Sequence, residues 1–400
     1  MSSFERSFIP YGTHWSTPFA KWQGSLASLH PLRLGAACAR AHFDRRGLDP
    51  TVLDTVVLGW TVPSQQSFYG APWVAGMIGA PDVTGPIVMQ ACATSVRTIQ
   101  TAAQGVETGA HEKALVLTVD KCSNGPHVYY PDGGAPGGTG KAENWVMDNF
   151  GRDPWAKNAM VETAENVARE AGISREQQDA LALVRYEQYT RATADDGAFQ
   201  KRYFLPVEIN PSGRKVVGTL DADEGVFPTT AEGLAKLRPV MPEGTVTFGS
   251  QTHPADGNAG CLVTTESYAK ELSSDTGVTV RLVSSGEARV KKGFMAMATV
   301  PAAHQALHRA GWAASDVTIK THNPFAVNDI YFARELGLAE DSFNDFGSSL
   351  VFGHPQGPTG MRLVAELIEQ LVMAGGGRGL FVGCAAGDTA AALCLEVNCA

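Results

Sequence analysis

Two cysteines and a histidine carry the chemistry this chain could do. Cys92 lies in IVMQACATSVRTIQTAAQ, Cys384 in GLFVGCAAGDTAAALCLE and His354 in FGHPQGPTG. Each stands on a turn of small residues beside an apolar segment. Together they supply what is needed to make or break a carbon–carbon bond next to a thioester. Cys92 follows a buried strand and precedes a helix, so the helix N-terminal amides and dipole should favour its thiolate. That thiolate could attack a carbonyl and hold the acyl group, and Ala91, Ala93 and Thr94 leave room for close approach. His354 sits where proline and glycine fix the backbone, placing it to deprotonate Cys92 and then donate to a carbonyl oxygen. Cys384 could move a proton on the carbon beside a thioester, and the Ala385–Ala386–Gly387 turn offers N–H groups to an oxyanion. His322, in THNPFAVND, ends a strand, with Asn323 placed to orient a neighbour or a water. Taken singly, each of these residues reads equally well as a packed core cysteine or a turn histidine.

The elements that must position them read as α/β. VLDTVVLGW (52–60), GPIVMQ (85–90) and KALVLTVD (113–120) are strand-like, and Val96, Ile99 and Ala103 mark a helix between the last two. This is the strand–helix–strand order of a layered α/β unit. The stretch 122–157, with YYPDGGAPGGTGKAENW, departs from that order and reads as an excursion from the core. Helical spacing returns over 160–196, where Ser174 followed by Gln177 forms a capping-box pattern. From about 275 onward strand and helix alternate again, suggesting a weak internal repeat of two α/β halves.

Composition narrows the classes. The 400 residues are 44% hydrophobic and 18% charged, with a formal net charge of −9. No Lys/Arg stripe or zinc-finger spacing points to nucleic acid. No apolar run is long enough for a membrane span, and no secretory leader pattern opens the sequence. The seven cysteines form no short-loop framework, so reduced thiols and a cytoplasmic setting are expected. GxxxxGK[ST], HExxH, paired CxxC and GxSxG patterns are all missing, so neither a metal nor a nucleotide cofactor is expected.

These motifs resemble those of the thiolase family along nearly the whole chain. GHPQGPTG is similar to the family's GHPxGxSG, with Thr359 at the serine position, and GLFVGCAAGDTAAALCLE resembles its closing segment. The resemblance implies a duplicated five-layer α-β-α-β-α fold with an inserted loop/lid domain. Its expected divisions are an N-terminal half over 1–121, the lid over 122–248, a return to the N-terminal half over 249–274 and a C-terminal half over 275–400. It implies acyl transfer between a 3-ketoacyl-CoA and coenzyme A, with coenzyme A as substrate and no prosthetic group. Cys92 would be the acylated nucleophile, His354 its activator and Cys384 the acid/base. The backbone amides of Cys92 and Ala386 would form an oxyanion hole. Thr252 falls where the family places a serine against the pantetheine arm. Met160, Asn323 and Phe325 are the further residues expected at the substrate. A homodimer is expected.

Three departures bear on the substrate. The family's NEAF is HNPF here (322–325), so His322 could donate directly to an oxyanion, as in the sterol-carrier type of thiolase. CxSG after the nucleophile is CATS (92–95). The YHMG lid segment of small-substrate members corresponds to NAMV (158–161), with Ala159 in the histidine position. These changes argue against assuming acetoacetyl-CoA and leave open a long, branched or aromatic acyl chain, which Tyr129, Tyr130, Trp145 and Trp155 could line unless they are exposed packing aromatics. Two other readings stand beside this one. A Cys–His–His set would suit a condensing-only enzyme of the ketoacyl-synthase kind, though Cys384 argues against it. A noncatalytic scaffold would bind a small accessory subunit, and HNPF leaves room for such a partner.

Overall fold

The computed structural model describes residues 3–211 and 214–400. In the N-terminal half the strand Thr55–Gly59 lies parallel to both Ile87–Val88 and Lys113–Lys121, and Ala255–Thr264 adds antiparallel to Lys113–Lys121. In the C-terminal half Thr318–His322 runs parallel to Gly376–Ala385, followed antiparallel by Thr389–Cys399 and Val278–Arg289. The two-residue strand Phe8–Ile9 bonds to both halves, through Thr264 on one side and Val280 and Arg281 on the other.

Helices fill three further layers. Pro31–Arg46 and Gly70–Ile78 cover the outer face of the N-terminal strands, and Thr299–Ala310 with Ala326–Leu336 covers the outer face of the C-terminal strands. Thr94–Thr108 and Gly357–Met373 lie between the halves, where Val96, Ile99, Leu363, Leu367 and Phe381 share one apolar core. The result is α-β-α-β-α. Both inner strands are apolar on both faces because both faces are covered, which is why they read as unbroken hydrophobic runs.

The excursion after the Lys113–Lys121 strand is its own structure. His127–Tyr130 pairs with Lys141–Asn144, and the helices Trp145–Gly151, Met160–Glu170 and Arg175–Gly197 follow. Ser174 Oγ accepts from Gln177 N (3.3 Å) while Gln177 Oε1 accepts from Ser174 N (2.9 Å), the expected reciprocal cap. GPIVMQ is shorter than expected, forming only Ile87–Val88, because Gln90 to Ala93 turn sharply into the next helix.

A buried ion network fastens the excursion to the central helix. Arg362 is fully buried, gives both terminal nitrogens to Asp223 at 2.6 and 2.8 Å, and reaches Glu366 at 3.1 Å. Its guanidinium lies 3.6 Å from the Phe352 ring centroid. Asp223 also accepts from Phe19 N and Tyr189 Oη, so four elements meet on one carboxylate. Removing one partner of such a pair strands the other charge, typically at about 3–5 kcal/mol. No helix among the described residues is long and apolar enough to cross a membrane.

Candidate active site

Cys92 stands on a tight turn between Ile87–Val88 and Thr94–Thr108. Ala91 takes φ 44°, a left-handed conformation unfavourable to a residue with a Cβ. Thr94 holds that turn: its Oγ1 accepts from Gln90 N (2.9 Å) and donates to Ala91 O (2.7 Å). Ser95 Oγ accepts from Met361 N (2.8 Å) and donates to Gly357 O, joining the two central helices at their N-terminal ends. The CATS departure therefore places a buried interhelical clasp directly behind the nucleophile.

The GHPQGPTG segment arrives from the other half. His354 Nε2 lies 3.1 Å from Cys92 Sγ, and its Nδ1 lies 2.6 Å from Thr359 Oγ1. If His354 is to take the Cys92 proton, Nε2 must be the accepting nitrogen and Nδ1–H must donate to Thr359. Gly353 precedes it at φ 90°, where a Cβ would also meet His253 Nε2 at 2.7 Å. Gln356, with φ 65° and ψ −104°, turns its carboxamide onto the nucleophile, Oε1 lying 3.3 Å from Cys92 Sγ. In sequence Gln356 fills only the variable position of GHPxG, and no pattern flags it. Asp120, buried at the end of its strand, accepts from Thr61 N, Val62 N and Gly357 N, each at 2.8 Å. It thereby ties the His354 segment to the first strand's loop.

His322 packs against His354 with ring centroids 4.0 Å apart. Its Nδ1 lies 2.7 Å from Ser349 Oγ, and its buried Nε2 meets no partner among the described residues. Asn323 departs from expectation. It is fully buried and does not line the cavity: Nδ2 donates to Asp329 (2.5 Å), and Oδ1 accepts from Leu350 N (3.2 Å). Asp329 also pairs with Arg185 at 2.8 Å and accepts from Thr321 Oγ1 at 2.6 Å, so Asn323 belongs to an interior network rather than to a substrate wall.

Cys384 ends the strand Gly376–Ala385 and is fully buried, with Asn328 Nδ2 3.2 Å from its sulfur. The turn after it places Ala386 on the wall of the same cavity as Cys92, and the amides of Ala386 and Cys92 both favour the Cys92 thiolate. Burial pushes the Cys92 thiol up to about 12, outweighing both amides. The amides favour the thiolate, as the helix terminus implied, but although Cys92 keeps some exposure to the cavity, its apolar surroundings cost the anion more hydration than the amides return. Burial also raises Cys384 well above the ordinary thiol range, and the charge on Cys92 raises it further. His322 is pushed down to about 3 by burial, and His354 well below the usual imidazole range by burial and by His322. Gln356 acts the other way, favouring the protonated His354 ring.

A cavity of about 760 Å³ opens in front of Cys92 and His354. Thr252, Met160 and Phe325 line it, as do Gln356, Ala386, Trp145 and Trp155. Thr252 Oγ1 donates to Ser349 O at 2.5 Å, so its hydroxyl is already engaged. Tyr129 and Tyr130 lie on an exposed hairpin outside the cavity, correcting their expected place in its wall. Met89, Met147, Phe150 and Val161 complete a largely apolar lining.

Comparison with known proteins agrees with this architecture over its full length. Residues 14–267 match the thiolase N-terminal domain and residues 276–397 the thiolase C-terminal domain. The chain is 33% identical over 399 residues to a beta-ketoadipyl-CoA thiolase of Pseudomonas aeruginosa, covering 95% of this chain and 96% of that protein. It is 30% identical over 383 residues to an acetyl-CoA acetyltransferase of Allochromatium vinosum, covering 94% and 95% respectively. The human mitochondrial 3-ketoacyl-CoA thiolase solved with CoA superposes with a TM-score of 0.89 at 25% identity, covering 99% of both chains. With both domains matched in order, the chain belongs to the thiolase family, enzymes that transfer acyl groups between a 3-ketoacyl-CoA and coenzyme A.

Proposed function

We propose that this chain cleaves a 3-ketoacyl-CoA with coenzyme A, or runs the reverse condensation, through an acyl group carried on Cys92. The observation that carries this reading is the 3.1 Å contact between Cys92 Sγ and His354 Nε2 in the wall of a cavity of about 760 Å³ that Ala386 also lines. His354 takes the Cys92 proton as the sulfur attacks the 3-keto carbon. The amides of Cys92 and Ala386 receive the oxyanion. The bond between C2 and C3 breaks, its electron pair passing to C2 of the departing acyl-CoA, and Cys384 gives that carbon a proton. The Cys384 thiolate then takes the thiol proton of coenzyme A, whose sulfur attacks the Cys92 thioester and carries off the acyl group, and His354 returns its proton to the freed Cys92 sulfur.

Cys384 is suited to the donor's part, since a thiol held far above its usual range stays protonated until a carbanion forms beside it. His322 Nε2 is an oxyanion donor when Ser349 gives its hydroxyl proton to His322 Nδ1. Thr252, Met160 and Phe325 serve as walls for the pantetheine arm and acyl chain. The apolar lining with Trp145 and Trp155 supports an acyl group larger than acetoacetyl. A homodimer is supported by Phe68, Tyr69 and Met89, exposed by 88, 66 and 56% around the Ile87–Val88 edge strand. The seven unpaired cysteines suit a reducing compartment.

The close His322–His354 pair, ring centroids 4.0 Å apart, favours one second reading, a condensing-only enzyme. One assay separates the two: purified protein with coenzyme A and acetoacetyl, long-chain, branched and aryl 3-ketoacyl-CoAs, following loss of substrate. Cleavage of one class is expected. Condensation without any cleavage would sink thiolysis, and inertness in both directions would favour a scaffold that works with a small accessory subunit.

A further inference from the structure

We propose that Cys92, His322 and His354 form a binding site for a zinc-class divalent cation in the substrate-free enzyme, and that the ion reversibly blocks the nucleophile. The sulfur and one ring nitrogen of each histidine lie within 4.8 Å of one another, although the residues are far apart in sequence. Zinc bonds of about 2.3 Å to sulfur and 2.0–2.1 Å to nitrogen, in tetrahedral geometry, require only a small inward shift from such spacings. The cavity in front of Cys92 leaves the fourth position open to water.

Hydrogen bonding around the ligands fits this use. His354 Nδ1 is held by Thr359 Oγ1 and His322 Nδ1 by Ser349 Oγ, so both rings are oriented through the nitrogen that faces away from Cys92. Ser349 Oγ also faces Asn323 N and Asn323 Oδ1, each at 3.2 Å. With its proton on Asn323 Oδ1, it accepts from both Asn323 N–H and His322 Nδ1–H, and all its bonds are made. His322 then carries its lone pair on Nε2, the buried nitrogen without a partner among the described residues. Oxyanion donation needs the opposite tautomer, so rotation of one serine hydroxyl, together with loss of the ring proton from Nδ1 and gain of one from solvent at Nε2, separates the two uses. Binding exchanges the Cys92 S–H bond for a sulfur–metal bond and releases one proton to solvent.

The test is a titration of the reduced, metal-free whole protein with cobalt(II), which reports tetrahedral geometry and thiolate ligation by its absorption. One equivalent is expected, with a sulfur-to-cobalt charge-transfer band that zinc abolishes. Cys92→Ala should lose that band, and His322→Ala should weaken binding by at least about 100-fold. Ser349→Ala, which leaves all three ligands in place, should weaken it about tenfold. Absence of the band in the wild type would overturn the proposal. So would its persistence in Cys92→Ala, which would place the ion on another cysteine, or unchanged affinity in both His322→Ala and Ser349→Ala. Cleavage of 3-ketoacyl-CoA, measured separately on chelator-treated enzyme, tests the thiolase reading independently of this outcome.

Discussion

The two cysteines are the same side chain in opposite settings. Cys92 stands on a strained turn at a helix N-terminus, opens to the cavity and touches His354 and Gln356, and the Ala386 amide favours its thiolate. Cys384 ends a strand, is sealed from solvent and meets the side chain of Asn328. A base within reach, two amides and room for a carbonyl make a nucleophile. Burial with one amide neighbour makes a proton reservoir. Both thiols are raised, so low acidity alone does not distinguish them; what surrounds each sulfur does.

The sharpest way to break this contrast is to remove each sulfur in turn. Cys92→Ala should lower turnover by about 10⁴-fold or more and leave no acyl adduct detectable by mass spectrometry after incubation with acyl-CoA. An adduct on that variant would move the nucleophile elsewhere. Cys384→Ala should lose about 10²–10⁴-fold in turnover, still acylate at Cys92, and fail to exchange the acyl-CoA alpha proton with deuterated solvent. Retained exchange would strip Cys384 of its part. His322→Ala should lower kcat by about 10²–10³-fold with little change in KM for coenzyme A, and the pattern reversed would make His322 a binding residue.

Gln356→Ala should cost about tenfold or less, in line with one hydrogen bond of about 0.5–1.5 kcal/mol. The pH dependence of alkylation sharpens the same point. A thiol raised to about 12 is protonated at neutral pH, so alkylation of free Cys92 should keep rising with pH. An ordinary thiol of pKa about 8.5 would instead level off above about pH 9. A plateau there, measured with iodoacetamide, would show that His354 and the Cys92 and Ala386 amides favour the thiolate more than burial opposes it.

Most of this site was legible because its residues announce themselves locally. Cys92, His354 and Cys384 each sit in a short segment of small residues between apolar runs, and their order with GHPQGPTG carries the family resemblance. What stayed hidden depends on distant partners. Gln356 occupies a variable motif position, and only the approach of residue 92, far away in sequence, gives its amide a role. Asn323 beside His322 looked like a site residue. Asp329 and Leu350 turn it inward, and no local pattern specifies that. The amide that favours the Cys92 thiolate was visible in sequence as a helix terminus, whereas the desolvating walls that oppose it come from several segments. The layered α/β character followed from alternating strand and helix and the five layers from the family resemblance, but the meeting of the halves through Phe8–Ile9 did not, since two residues make no pattern.

That short strand makes the amino terminus a seam. Phe4 and Ile9 are buried, Phe4 N donates to Val283 O at 2.8 Å, and Phe8 pairs with strands of both halves. Trimming the chain to begin at Pro10 would uncover the margin of one strand around Val280, Arg281 and Val283, while Trp15–Ser16 and Ala20–Lys21 would still cover most of the facing strand. Bare margins of that kind recruit strands from other molecules. Such a protein would be expected to precipitate or exchange segments between copies before its chemistry suffered, so loss of yield, rather than loss of turnover per molecule, would be the signature of damage there.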